Sequence, residues 1–248
     1  MPLIDPASPV AEARRDLAAT LRMAARYDLH EGICNHFSAT VPGNPDLFLI
    51  NPQGLHWSEV RASDLVMLDN EGTIVEGHHT VEPTAFFIHW RIHRNHPNAA
   101  CVMHTHMPYS TALTLLEDGR LEPHSQSSLR FHNRIAYDDD YQGLALDAAE
   151  GDRMAAVMGA APILFMAHHG VLVAGASIAE TFDELYYLER AARLQVFAAQ
   201  MGKPLRRIRQ DIAETACRQI ADERKVQAPL HLAALRRILD REEPDYAE

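Results

Sequence analysis

Two prolines fix one stretch of this chain before anything else is read from it. The residue ahead of a proline is pushed out of helical geometry, so a helix over residues 84–95, opened by Pro83, must stop at His96-Pro97. The apolar run over residues 99–106 then alternates like a strand until Pro108, which cannot donate to a sheet ladder. A helix and a strand with so little chain between them must occupy neighbouring layers, which restricts the fold to mixed α/β architectures.

The remaining segments fit that restriction. Ser8-Pro9 is an N-cap followed by a first-turn proline, and Val10, Ala13, Leu17, Leu21 and Ala24 mark one apolar face, so a helix is expected up to about Leu29. After Gly32, strands are expected at 33–41 and 47–51 around the turn cluster 42–45. A short helix at 62–65 and a hairpin pairing 66–68 with 73–75 follow. Beyond Pro108 the pattern predicts a helix at 109–116, an irregular polar and aromatic stretch at 121–140, and a helix at 145–158. A strand at 163–173, broken near Gly170, and a helix from Ser177 to about Gln200 complete the main pattern. No repeat, low-complexity tract or linker divides the chain. A single α/β domain over 1–248 is expected, with 202–248 as a helical C-terminal extension.

Charge and composition remove several functions. With 34 acidic against 23 basic side chains the formal charge of −11 repels phosphate backbones and anionic headgroups, so neither nucleic acid nor a membrane is an expected partner. The longest apolar runs fall far short of the roughly 20 residues of a bilayer-spanning helix. The opening Met-Pro-Leu-Ile-Asp-Pro lacks the pattern of a secretory signal, and three widely spaced cysteines, Cys34, Cys101 and Cys217, suit a reducing compartment. The cytoplasm is the expected location. Lys203 and Lys225 are the only lysines, one in a Gly-Lys-Pro break and one in a charged stretch, which disfavours imine catalysis. The sequence lacks the Gly-x-Ser-x-Gly elbow, the Gly-Lys-Ser phosphate loop and the Gly-x-Gly-x-x-Gly fingerprint.

Histidine, present 15 times, carries the chemistry. In a strand, side chains two apart project from one face, so His104 and His106 aim together at the strand end beside Pro108. A catalytic metal commonly takes three protein ligands and keeps a position open, and His168-His169-Gly170 can supply the third. Either motif alone also fits a solvated edge or a turn, but the two together, bordered by apolar strand, point to a metal. His89 and His93, four apart on a helix with His96 nearby, are a rival pair. They lack the glutamate that follows the first histidine of a zincin helix, and they read as packing residues. Asp138-Asp139-Asp140 reads as a solvated loop, and His78-His79 is weaker still.

The segments Gly32-Ile33-Cys34-Asn35-His36-Phe37-Ser38, Leu49-Ile50-Asn51-Pro52-Gln53-Gly54-Leu55, Phe87-Ile88-His89 and Val102-Met103-His104-Thr105-His106 resemble the class II aldolase and adducin family. So do 136–143, His169-Gly170-Val171 with Gly175, and Leu188-Glu189-Arg190-Ala191-Ala192. The likeness covers roughly residues 10–201 in unbroken order. It implies an αβα sandwich around a central, largely antiparallel sheet, assembled as a homotetramer. It also implies a divalent ion, zinc first and manganese, iron or cobalt as alternatives, on His104, His106 and His169, with His168 a neighbour. Asn35, Ser38 and Gly54 fall on loops that contact substrate in family enzymes.

One departure stands out. The glutamate that serves the family's sugar-phosphate aldolases as acid and base aligns with Ala85, and Glu82 lies three residues earlier, where a shifted helix start could bring it to the site. Pro83 removes an amide and Glu82 adds negative charge where those enzymes hold phosphate, so a non-phosphorylated carboxylate substrate is expected. His124 and Arg130 are candidates to grip that carboxylate, and Tyr137 or Tyr141 to deliver a proton. The implied reaction is a metal-dependent carbon–carbon lyase working through a metal-stabilised enolate. Decarboxylation is favoured over aldol cleavage because it needs no base on an alcohol. The alternatives are a sugar-phosphate-type aldolase, epimerase or dehydratase on the same site, and a non-catalytic adducin-like binding protein, a class that commonly loses the metal ligands retained here.

Overall fold

A computed structural model describes residues 7–145 and 147–248; the N-terminal hexapeptide and residue 146, which falls within the expected helix at 145–158, lie outside the described residues. The chain begins with α1 (Pro9–Arg26), capped by Ser8, whose Oγ accepts from the Ala11 amide at 3.2 Å. This helix stops short of Leu29 because Asp28 adopts a left-handed φ of 58°. Strand β1 (His36–Val41) starts three residues later than the sequence suggests, since Asn35 has a φ of 79° and turns the preceding residues into a loop. It pairs antiparallel with β2 (Asn44–Ile50), and β3 (Val66–Leu68) and β4 (Ile74–Glu76) extend that side of the sheet.

Helix α2 (Pro83–Asn95) leads into β5 (Cys101–Thr105), which pairs with β1 on one side and with β8 (Gly170–Gly175) on the other. The run 163–173 is two antiparallel strands, β7 (Ile163–Met166) and β8, folded on a turn at 167–169 where His168 has a φ of 58°. The stretch 121–140 is more ordered than its composition suggests. It contains helix α4 (Gln126–Leu129), after α3 (Pro108–Thr114), and strand β6 (Ile135–Asp138), which pairs parallel with β7 and forms the sheet edge. The eight strands run β4-β3-β2-β1-β5-β8-β7-β6, antiparallel except for that last pair.

Helices cover both faces and produce the αβα sandwich. Alternation along β5 sends Cys101 and Met103 into a core with Leu17 and Leu21 of α1 and with Leu185 and Leu188 of α6 (Ile178–Gln200). On the opposite face Val102 meets Ile88 and Ile92 of α2 and Met154 and Met158 of α5 (Ala148–Met158). Burying such side chains contributes about 1.5–3 kcal/mol each. The last long helix, α7 (Gln210–Glu242), adds Leu232, Leu235 and Leu239 to the first core. It is tied to α6 by Asp183 and Glu184, two nearly buried acids that meet His231 and Arg224. Among the described residues no helix is long and apolar enough to cross a membrane.

Candidate metal centre

His104 ends the alternating run of β5 on the α2 and α5 face, and His106 follows one step beyond the strand. His169 reaches them from the turn between β7 and β8. Gly170 permits the approach, because a Cβ there would lie 2.5 Å from the Thr105 carbonyl oxygen and 2.8 Å from His106 Cδ2. The three ring centroids form a nearly even triangle with sides of 5.0, 4.8 and 4.8 Å. One nitrogen of each ring lies within 4.8 Å of the other two.

Two of the rings are held so that Nε2 is the free donor. His104 Nδ1 donates to the Val171 carbonyl at 3.0 Å, and His106 Nδ1 donates to the Glu31 carboxylate at 2.5 Å. Their Nε2 atoms are 3.2 Å apart. Two imidazole nitrogens at 2.0–2.1 Å from one tetrahedral ion are separated by about 3.3 Å, so the donor set fits a divalent cation such as zinc. Burial first, and the neighbouring rings second, push His104 well below the ordinary histidine range, and burial pushes His169 down to about 4. Neutral rings with exposed lone pairs are the form a cation requires.

A cavity of about 260 Å³ opens onto the triad, lined also by Ile33, Cys34, Asn35, His36, Gln53, Glu82, Thr84, Ile88, Leu144 and Ala145. Asn35 is 1 % exposed, and its Oδ1 accepts from the Glu31 and His106 amides at 3.1 and 3.2 Å. Those bonds fix the amide orientation and leave Nδ2 buried without an acceptor. Glu82 is the N-cap residue of α2, which starts at Pro83 with no shift, and it lines the cavity, where Oε2 lies 3.1 Å from His36 Nε2. That hydrogen bond, outweighing burial and assisted by Thr84, holds Glu82 down to about 2, so it is ionised. Ala85 is fully buried against Phe48, Ile50 and Trp90.

Several residues singled out in the sequence sit elsewhere. Ser38 is on the α2 side of β1, with Oγ 2.6 Å from His89 Nδ1 and 2.8 Å from His93 Nε2, so it joins sheet to helix rather than facing the cavity. Gly54 occupies a turn at φ 88° next to the cavity residue Gln53 and does not line the cavity itself. His124 bonds the Arg206 carbonyl at 2.9 Å, and Arg130 pairs with Asp183 and lies over Tyr187 at 4.1 Å, so neither reaches the triad. Tyr137 packs on Phe165, accepts from the Leu121 amide at 3.1 Å, and lines a separate pocket with Arg120 and His168. Tyr141 is the tyrosine near the triad, its ring 6.4 Å from that of His169.

His36, Glu31 and Gln53 went unselected in the sequence. The alternation that pairs His104 with His106 could have found His36, which sits directly opposite His104 in the β1–β5 ladder. Nothing in the spacing marks Glu31.

Three imidazoles around a shared centre, at the end of the central strand of an αβα sandwich, form a set that could hold a metal ion on a mixed sheet. Residues 15–196 match the model of the class II aldolase and adducin N-terminal domain, and the chain belongs to that family. Its enzymes are generally metal-dependent lyases. The chain is similar to a protein named putative aldolase class 2 protein from Caulobacter vibrioides, 36 % identical over 239 residues, spanning 96 % of this chain and 92 % of the relative. It resembles a crystal structure of an aldolase II superfamily protein from Pseudomonas syringae with a TM-score of 0.88, 35 % identity and 97 % coverage of both chains. A protein named decarboxylase NovR from Streptomyces niveus is 28 % identical over 235 residues, 93 % of this chain and 84 % of its own.

Proposed function

We propose that the protein is a divalent-metal-dependent carbon–carbon lyase that decarboxylates a small, non-phosphorylated, carboxylate-bearing molecule. The observation that carries this reading is the convergence of His104, His106 and His169 on one centre beside a cavity. His104, His106 and His169 would hold a divalent ion, zinc first and manganese, iron or cobalt as alternatives, and its chemistry there would be that of a Lewis acid for a carbonyl and for the negative charge left by carbon–carbon cleavage.

The chain's own groups would do the rest. Asn35 Nδ2 orients a substrate oxygen by donating the hydrogen bond it otherwise lacks. Glu82, ionised and joined to His36 Nε2, would accept a proton at Oε2 and pass it on. Tyr141, outside the cavity lining but with its ring 6.4 Å from that of His169, would return one to carbon. Decarboxylation needs the departing carboxylate aligned and the carbon reprotonated. Glu82 supports a second reading, aldol cleavage, because an ionised carboxylate in the cavity can deprotonate the alcohol. We place the chain in the cytoplasm as one functional unit over 1–248 with 202–248 as a helical extension, assembled as a homotetramer on small-molecule substrates.

Zinc- or manganese-loaded protein screened against keto acids and hydroxylated aromatic dicarboxylates is expected to release CO2 or an aldehyde. Turnover that survives both metal stripping and His104→Ala would overturn the reading.

A further inference from the structure

The lining of the cavity says more about the substrate than the triad does. Among the described lining residues there is no lysine or arginine, and apart from the histidines the one ionisable side chain of definite charge is Glu82. His124 and Arg130 are committed to a backbone carbonyl and to Asp183. A phosphate dianion entering here would meet a fixed negative charge and no fixed positive partner besides whatever ion the triad holds. Ile88 and Ala145 instead floor the cavity with buried apolar surface, 3 % and 6 % exposed. Ile33 and Leu144 flank its mouth at 52 % and 71 % exposure, large apolar groups left in water at a functional opening. The volume of about 260 Å³ suits a small ligand.

We propose that this cavity selects an aryl-bearing 2-oxo or 2-hydroxy acid, with the acid head at the triad and the ring between Ile33 and Leu144 at the mouth and Ile88 and Ala145 at the floor. Asn35 Nδ2 then serves the one oxygen beside the head, and the body needs no further polar contact. The proposal rests on the reading of the triad as an ion site.

The test uses three hydroxamates with the same chelating head, titrated calorimetrically into the zinc-loaded full-length chain: acetohydroxamate, benzohydroxamate and a hydroxamate ending in a phosphate monoester. Benzohydroxamate is expected to bind roughly tenfold or more tighter than acetohydroxamate, the gain from burying an aromatic ring, and the phosphorylated probe no tighter than acetohydroxamate. Ile33→Ser and Leu144→Ser, both on the exposed mouth, should bring the ratio of benzohydroxamate to acetohydroxamate affinity toward one, with the sedimentation coefficient unchanged. Equal binding of all three, or tightest binding of the phosphorylated probe, overturns the substrate class and leaves the metal reading standing. So does an unchanged preference in variants whose assembly state shifts, which would make the mouth a contact between copies of the chain. Failure of the wild type to take up zinc or to bind any hydroxamate removes the metal reading itself.

Discussion

Two clusters of histidine lie on the same face of the sheet and do opposite things. His89 and His93 on α2 are bound into the protein: Ser38 Oγ bridges His89 Nδ1 and His93 Nε2, His93 Nδ1 donates to the Ala99 carbonyl at 2.5 Å, and His89 Nε2 is buried outside the triad without a hydrogen-bond partner. At the end of β5, backbone and Glu31 take the Nδ1 atoms of His104 and His106, and the Nε2 atoms converge with a ring from another strand pair. Histidines near one another are therefore not yet a site. A site needs free nitrogens from several rings aimed at a common point, as those of His104, His106 and His169 are, and it gains from bonds that hold the rings, as at His104 and His106.

That contrast can be broken by experiment. The largest expected effect is loss of the bound ion, and of turnover with it, in His104→Ala, while His89→Ala lowers stability and leaves one ion per chain; elemental analysis of both variants checks this. Next comes acid. Burial holds His93 down to about 4 and His89 well below the ordinary value, whereas unfolded histidine titrates near 6.5. The unfolded chain takes protons that the folded one refuses, so the stabilisation is full above pH 6.5 and is lost as pH falls toward 4. The loss is on the order of 2–3 kcal/mol for His93 alone, measurable by urea unfolding of the metal-free protein across that window.

A smaller effect should follow from Ser38→Ala, which strands two imidazole nitrogens under α2 and is expected to cost about 1–3 kcal/mol in chemical denaturation with metal affinity unchanged. The smallest falls on Glu31, 65 % exposed in its side chain. Glu31→Ala leaves His106 Nδ1 to water and should weaken metal binding about tenfold in competition titrations, the lower end of the range for a partner that orients a ligand.

What could be read from the sequence follows from where the physics is local. Ser8 and Ser177 announce helix starts through hydrogen bonds to their own first turns, and strand alternation alone puts His104 and His106 on one face. Strand β6 escaped because Ile135, Ala136 and Tyr137 are only half-buried and draw their order from parallel pairing with β7, a partner 28 residues along the chain at Ile163. Asn35 delayed the start of the expected strand through its left-handed backbone, which Asn tolerates. Arg130 looked like an anion grip from its loop, yet its partner Asp183 comes from α6. Pairings between residues far apart along the chain, Glu82 with His36 and Glu31 with His106, carry no local signature, even where one partner, Glu82, can be singled out.

X-ray absorption of the zinc-loaded protein tests the central claim most directly. The account predicts a shell of nitrogen and oxygen atoms at about 2.0–2.1 Å with the outer scattering of three imidazoles, reduced to two in His169→Ala. A spectrum with no imidazole scattering, or one that changes with His89→Ala and not with His169→Ala, would contradict it.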